Sequence, residues 1–317
     1  MKKYIISLCA VLLLTACNKA EFSPINPHEQ FVASVNIVEP SVQFFSNKCE
    51  PIATWQFDEP YTGGTLMQFD QLFLYGNQMT EAHIYEISTG RKLKTIKMPV
   101  GTTNAYFDVE SERLFVTNGK TNTLTMYDIH GSEQGSLELR NYPMSMTSLD
   151  GKLYVVNFKD TVLSVVDIEV FRVIDEWTIP QDSHGLLVDA NKGELWIGGH
   201  GVGATPNPKV SVFQLETGEI KEKLDLPMMP VGLAKQENGE RVAVVSHGNS
   251  TLYMLDGKKE IDKVMQIGAN PFAVTFFEES IVVAGYDDDT LYFVEDGQVS
   301  KQCETLDGPF QLIVRGA

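Results

Sequence analysis

Three histidines share a local pattern: His184, His200 and His247 each stand immediately before a glycine. His200 directly follows the apolar run Leu195-Trp196-Ile197-Gly198-Gly199, and His247 directly follows Val242-Ala243-Val244-Val245-Ser246. Imidazole changes charge near neutral pH, donates or accepts protons in catalysis, and ligates transition metals. Two such rings at equivalent places on neighbouring packed sheets, about 10 Å apart, can lean together onto one ligand or metal. Each ring can equally fill its own loop and hydrogen-bond backbone, and the sequence leaves these alternatives open. His28, His83 and His130 fall outside this pattern and read as surface residues.

Other chemistry-bearing residues carry weaker signals. Tyr286 opens Tyr286-Asp287-Asp288-Asp289. Three adjacent carboxylates diverge and lack the spacing of a calcium loop, so this reads as a solvated acidic turn. The stretch 200–209 is rich in Gly and Pro and reads either as a lid or as a surface insertion; it lacks the Gly-Lys-Ser/Thr ending of a phosphate loop. Asn157, with Asn104, Asn118, Lys120, Tyr142, Lys159 and Met229, supplies polar and apolar groups suited to sugar, peptide or protein contact. No Ser-His-Asp set follows from spacing, so no catalytic residue is assigned, and no motif calls for a cofactor.

The elements that must position these residues are repeats. One short apolar strand recurs as Leu72-Phe73-Leu74-Tyr75-Gly76, Leu114-Phe115-Val116-Thr117-Asn118, Leu153-Tyr154-Val155-Val156-Asn157, the two runs quoted above, and Ile281-Val282-Val283-Ala284-Gly285. The starts lie 42, 39, 42, 47 and 39 residues apart. Near-continuous apolarity fits strands covered on both faces. Each copy is followed by a polar loop, an alternating strand, a turn and a more polar strand. Each is preceded by a strand whose opening slot holds Pro143, Pro230, Pro271 or Pro309, with His184 placed in the same slot. Four strands per roughly 40 residues is the blade of a β-propeller.

Six blades run from about residue 65 to 306. One strand, 310–314, remains at the C-terminus, and three remain at the N-terminus, at 31–38, 42–45 and 52–57. One plus three completes a seventh blade and removes the open sheet edges. The expected fold is therefore all-β, a seven-bladed propeller of four-stranded antiparallel blades forming a single domain over 31–317. In such a ring, loops joining second to third strands and linkers between blades share one face around the channel mouth. That face gathers His184, His200, His247, Tyr286 and Asn157 as tentative ligand-binding residues, with the three histidines also as weak metal candidates.

The repeat resembles the YVTN β-propeller family. Leu114-Phe115-Val116-Thr117-Asn118 and Leu153-Tyr154-Val155-Val156-Asn157 match most closely, each followed by a strand ending in Asp-Ile, and Pro99-Val100-Gly101 fits the junction between blades. The resemblance implies a fold and leaves function open, since propellers host many activities. WD40 repeats fit less well, because no Gly-His and Trp-Asp pairs recur. A quinone-cofactor propeller also fits less well, since only Trp55, Trp177 and Trp196 are present.

The address is read at the start. Lys2 and Lys3 precede a short apolar run to Ala16, as in a secretory signal, and the run is too short to span a bilayer. Leu14-Thr15-Ala16-Cys17 resembles the bacterial lipobox, which implies cleavage of 1–16, lipidation (a palmitate-type acyl anchor) at Cys17, and a flexible tether over 17–30. Asn18 occupies the place where Asp would resemble an inner-membrane retention signal. The expected location is the cell envelope outside the cytoplasm: the outer membrane of a Gram-negative cell, or the outer face of the membrane in a Gram-positive one. The chain carries 25 Lys plus Arg against 42 Asp plus Glu, a net charge of −17 that becomes −19 once Lys2 and Lys3 are removed. Such a surface repels phosphate backbones, which excludes nucleic acid as the main partner. The partners expected are the membrane, through the lipid, and a protein, peptide or small molecule at the channel mouth. A metal-assisted lyase or lactonase using the histidines is the alternative.

Export permits a disulfide, yet an offset of five residues along outermost strands separates Cys49 and Cys303 by about 16 Å. Bridged Cα atoms must lie within about 7 Å, so the bridge is not expected.

Overall fold

Four strands come from each repeat and pair antiparallel in chain order, because short turns join strands that are apolar on the faces they bury. The structure, a computed structural model, describes residues 20–316. The signal segment 1–16 and Cys17 lie outside the described residues. Blades 1 to 6 span 63–97, 102–138, 143–178, 183–225, 230–266 and 271–304. Blade 7 takes Pro309–Arg315 as its innermost strand, then Phe31–Asn36, Ser41–Phe45 and Pro51–Gln56 from the other end of the chain. Seven four-stranded sheets thus form the ring. The only helical piece among the described residues is the 3-10 turn His247–Asn249.

Second and third strands are buried almost throughout, and outermost strands are largely exposed. The core is therefore divided among the seams between adjacent blades. One seam packs Phe73, Ile84 and Leu114 between blades 1 and 2; another packs Trp196, Val212 and Tyr253 between blades 4 and 5. Side chains on both faces of each sheet are removed from water, which is what continuous apolar strands require.

One irregularity recurs where the innermost strand meets the second. In blades 2 to 7 the register slips by one residue at the mouth end of this pair. Such a bulge leaves one residue out of the ladder and re-aims its side chain. The slot held by Pro143, Pro230 and Pro271 is taken in blade 4 by Ser183, which pairs with Gly199 as those prolines pair with Asn157, Ser246 and Gly285. His184 is thus one residue past the slot expected for it, in the bulge itself, in line with Phe272 and Phe310.

Three other expectations are corrected. The Cys49–Cys303 bridge is present, with Cα atoms 5.6 Å apart. Cys49 is not on an outermost strand. It sits at φ +66° in the turn between the third and fourth strands of blade 7. The twist accumulated from inner to outer strands brings that turn against Gln298–Glu304 of blade 6, where both cysteines pack with Phe45, Leu291 and Phe293.

The tether is not free over its whole length either. Phe22 N–H and Ile25 N–H donate to Gly90 O and Ile87 O, and Phe22 stacks on Trp55 with centroids 5.0 Å apart. Two apolar side chains in an otherwise polar, proline-containing stretch anchor it across the seam of blades 7 and 1. Last, His83 is buried in the third strand of blade 1, where its Nδ1 hydrogen-bonds the Tyr61 hydroxyl; burial holds its pKa below the usual imidazole value.

Candidate functional site at the channel mouth

Two sets of equivalent positions build the mouth. The bulge residue of the innermost strand is His184 in blade 4, Phe272 in blade 6 and Phe310 in blade 7. The residue directly after the second strand is Phe158 in blade 3, His200 in blade 4, His247 in blade 5 and Tyr286 in blade 6. Strand ends fixed by the ladders therefore hold seven rings at one level of the ring. All seven are partly exposed.

They form a continuous arc. Phe158 meets His200 edge-on with centroids 5.8 Å apart, and His200 meets His184 at 5.5 Å. His200 meets His247 at 4.9 Å, and His247 stacks on Phe272 at 4.8 Å with planes 24° apart. Phe272, Tyr286 and Phe310 then close on one another at 5.4–6.1 Å. Tyr142 extends the other end, 6.1 Å from Phe158. Edge-to-face and offset contacts at these separations are the favourable aromatic geometries.

The hydrogen bonding of the imidazoles is incomplete. His247 Nδ1–H donates to Asn270 Oδ1 at 3.0 Å, which leaves Nε2 as its other hydrogen-bonding atom. His247 Nε2 is shut from solvent and has no partner, and so is His200 Nδ1. Buried polar atoms are almost always paired in folded proteins, so the two adjacent imidazoles each carry an unmet hydrogen-bonding group. His184 Nδ1 lies 3.5 Å from Val231 O, a long contact. Burial holds His184 below the usual imidazole pKa, and burial together with the neighbouring His184 and His247 pushes His200 down to about 4. His200 is therefore neutral at physiological pH.

Below the arc, a cavity of about 200 Å³ enters the channel, lined by His184, Phe272, Phe310, Tyr75, Asn104 and Ser145 among others. The innermost strands around it are cross-tied: the Gln311 side chain both accepts from Gly64 N–H and donates to Gly64 O, and Thr103 Oγ1 donates to Pro143 O. These ties make the wall rigid, which favours a preformed pocket.

The structure thus brings His184, His200, His247 and Tyr286 together. Asn157 is withdrawn from this group. It is fully buried, and its Nδ2 donates to Val162 O and Ser164 Oγ, bracing its own loop. Asn118 has the same place in blade 2, accepting from Lys120 N–H and Thr121 N–H. The acidic turn is also internal bracing: Asp288 accepts from the Tyr292 hydroxyl and Asp289 from Gly308 N–H. The 200–209 loop forms a two-residue ribbon, Gly201–Val202 against Thr205–Pro206, with Val202 half exposed, and contributes nothing to the cavity wall. Among the described residues no three His, Cys, Asp or Glu side chains are placed to hold one ion. Phe158, Phe272 and Phe310 went unnoticed in the sequence, although each stands at the repeat position of one of the histidines.

No family model matches the chain, and no curated protein matches it in sequence. Solved structures do. A functionally unknown protein from Desulfotomaculum acetoxidans superposes with a TM-score of 0.77 at 9% identity, covering 91% of this chain and 99% of that one. Apo AztD from Citrobacter koseri gives 0.63 at 9% identity, covering 90% and 97%. The dihydro-heme d1 dehydrogenase NirN, in complex with DHE, gives 0.66 at 11% identity, covering 96% and 78%. At such identities the likeness is one of fold, and these proteins share the β-propeller architecture.

Proposed function

We propose that this protein is an extracytoplasmic binding module, tethered to a membrane through lipidated Cys17, whose ligand sits on the aromatic and imidazole arc at the channel mouth. The observation that carries the reading is the pair of orphaned nitrogens, His200 Nδ1 and His247 Nε2, enclosed by aromatic rings. Flat apolar faces gain from stacking on Phe272 and Tyr286, and the two nitrogens, opened by a turn of their rings, fix orientation by hydrogen bonds. Small molecules and aromatic side chains of a peptide meet these requirements alike.

The test is calorimetric titration of the intact chain with 2-naphthol, a flat ring bearing one hydroxyl. Saturable binding is expected, weakened about three- to tenfold in Phe272→Ala and in His247→Ala. No binding, or binding indifferent to both substitutions, contradicts the reading. For the anchor, labelling of cells with radioactive palmitate is expected to mark the wild type and leave Cys17→Ala unlabelled.

The metal-assisted enzyme is less well supported. It needs the three imidazoles to converge with a carboxylate, and they follow one another along the arc instead, His200 lying between His184 and His247.

A further inference from the structure

The arc stops where blades 1 and 2 take glycine, Gly76 and Gly119, at the position that carries a ring in blades 3 to 6. Gly119 cannot be replaced freely, since a Cβ there would stand 2.7 Å from the Tyr142 ring. In this gap lies a second depression of about 310 Å³ on the same face, formed by loops of blades 1 to 3. Its wall includes Asn77, Gln78, Lys120, Asn141, Tyr142 and Lys159, and no Asp or Glu. Lys159 Nζ lies 4.3 Å from the centre of the Tyr142 ring, so the last ring of the arc and the first cation of the depression are in contact. Lys120 and Lys159 form no ion pair among the described residues.

Both lysines stand beside side-chain amides, in a wall without carboxylates, on a chain of net charge −17. Long-range repulsion opposes anions over most of such a surface. A local donor cluster therefore acts on direction: it fixes which end of a ligand lies over blades 1 to 3. From this juxtaposition we infer that the ligand of the arc has two parts, a flat unsaturated body stacked on the Phe158 and Tyr142 end of the arc and an anionic group, carboxylate or sulfonate in chemistry, held by Lys120 and Lys159. The inference rests on the reading of the arc as the ligand site and adds the chemical class of the ligand.

The experiment compares three naphthalene probes on the intact chain by calorimetry: naphthalene-2-sulfonate, neutral 2-naphthol and cationic 2-naphthylmethylamine. The sulfonate is expected to bind about three- to tenfold more tightly than naphthol, as fits two exposed charges. The preference shrinks as salt is raised. In the Lys120→Met, Lys159→Met double variant the ratio of the two affinities falls to about one. Equal binding of sulfonate and naphthol by the wild type, preference for the amine, or a ratio unchanged in the double variant overturns the inference while leaving the arc as a site. Failure of all three probes to bind overturns both.

Discussion

His200 is the residue on which the site's electrostatics turn. Its pKa of about 4 in the folded chain lies below that of an unfolded histidine. The unfolded state therefore binds more protons between about pH 6.5 and pH 4, and stability rises with pH across that window and is lost as the solution is acidified. His184, also held below its usual value by burial, adds in the same direction. Carboxylates held low by partners, such as Glu176 beside Arg140, contribute to acid loss too, so the informative quantity is a difference. The fall in melting temperature from pH 7 to pH 4.5 is expected to be smaller in His200→Gln than in wild type. Equal slopes would show that the ring is not held neutral. At this scale the sequence reveals the histidines by their Gly neighbours and their place after apolar runs. It hides Phe272 and Phe310, because an aromatic residue in an apolar repeat looks like core until a bulge is known to turn it outward.

At the scale of the element, strands of period near 40 are legible since each must be apolar on two faces, and the six full copies fall where the repeat puts them. Register slips are not legible, since one extra residue leaves the composition of a strand unchanged. They decide the site, moving His184 out of the proline slot and onto the line of Phe272 and Phe310. Twist between strands is equally invisible in a linear offset, and this is why the Cys49–Cys303 bridge was unexpected. The bridge closes a sequence separation of 254 residues. Its removal in Cys49→Ser, Cys303→Ser is expected to lower stability by about 2–5 kcal/mol. Urea unfolding of the double variant against oxidised wild type measures this, and coincident transitions would contradict it.

The whole molecule is held shut at blade 7, which joins the chain's two ends. The disulfide pins this blade to blade 6. On the other seam, the buried Arg315 guanidinium donates to Asn26 O, Glu29 O and Phe69 O and lies 3.6 Å from Asp70. The docked segment at Phe22 and Ile25 covers the same seam. Phe22→Ala is expected to cost about 1–3 kcal/mol, less than a fully buried phenylalanine, as read by thermal melting; an unchanged melt would show the segment undocked.

Docking also has a consequence for orientation. Gly90 and Ile87 lie in the turn between the third and fourth strands, on the face opposite the mouth. Four residues separate Cys17 from Glu21, at most about 14 Å of chain, so under the proposed lipidation of Cys17 that face would lie near the bilayer and the arc would face away from it. In vesicles containing spin-labelled headgroups, a dye at Arg91→Cys is expected to be quenched more than one at Asp287→Cys. Equal quenching would mean the segment does not set the orientation.

Whether the three imidazoles form one ligand site is measured by an NMR titration of ring-labelled histidine with 2-naphthol. The His184, His200 and His247 signals are expected to move together along one saturation curve, with exposed His28 and His130 unmoved. Saturation without any shift at those three rings would contradict it.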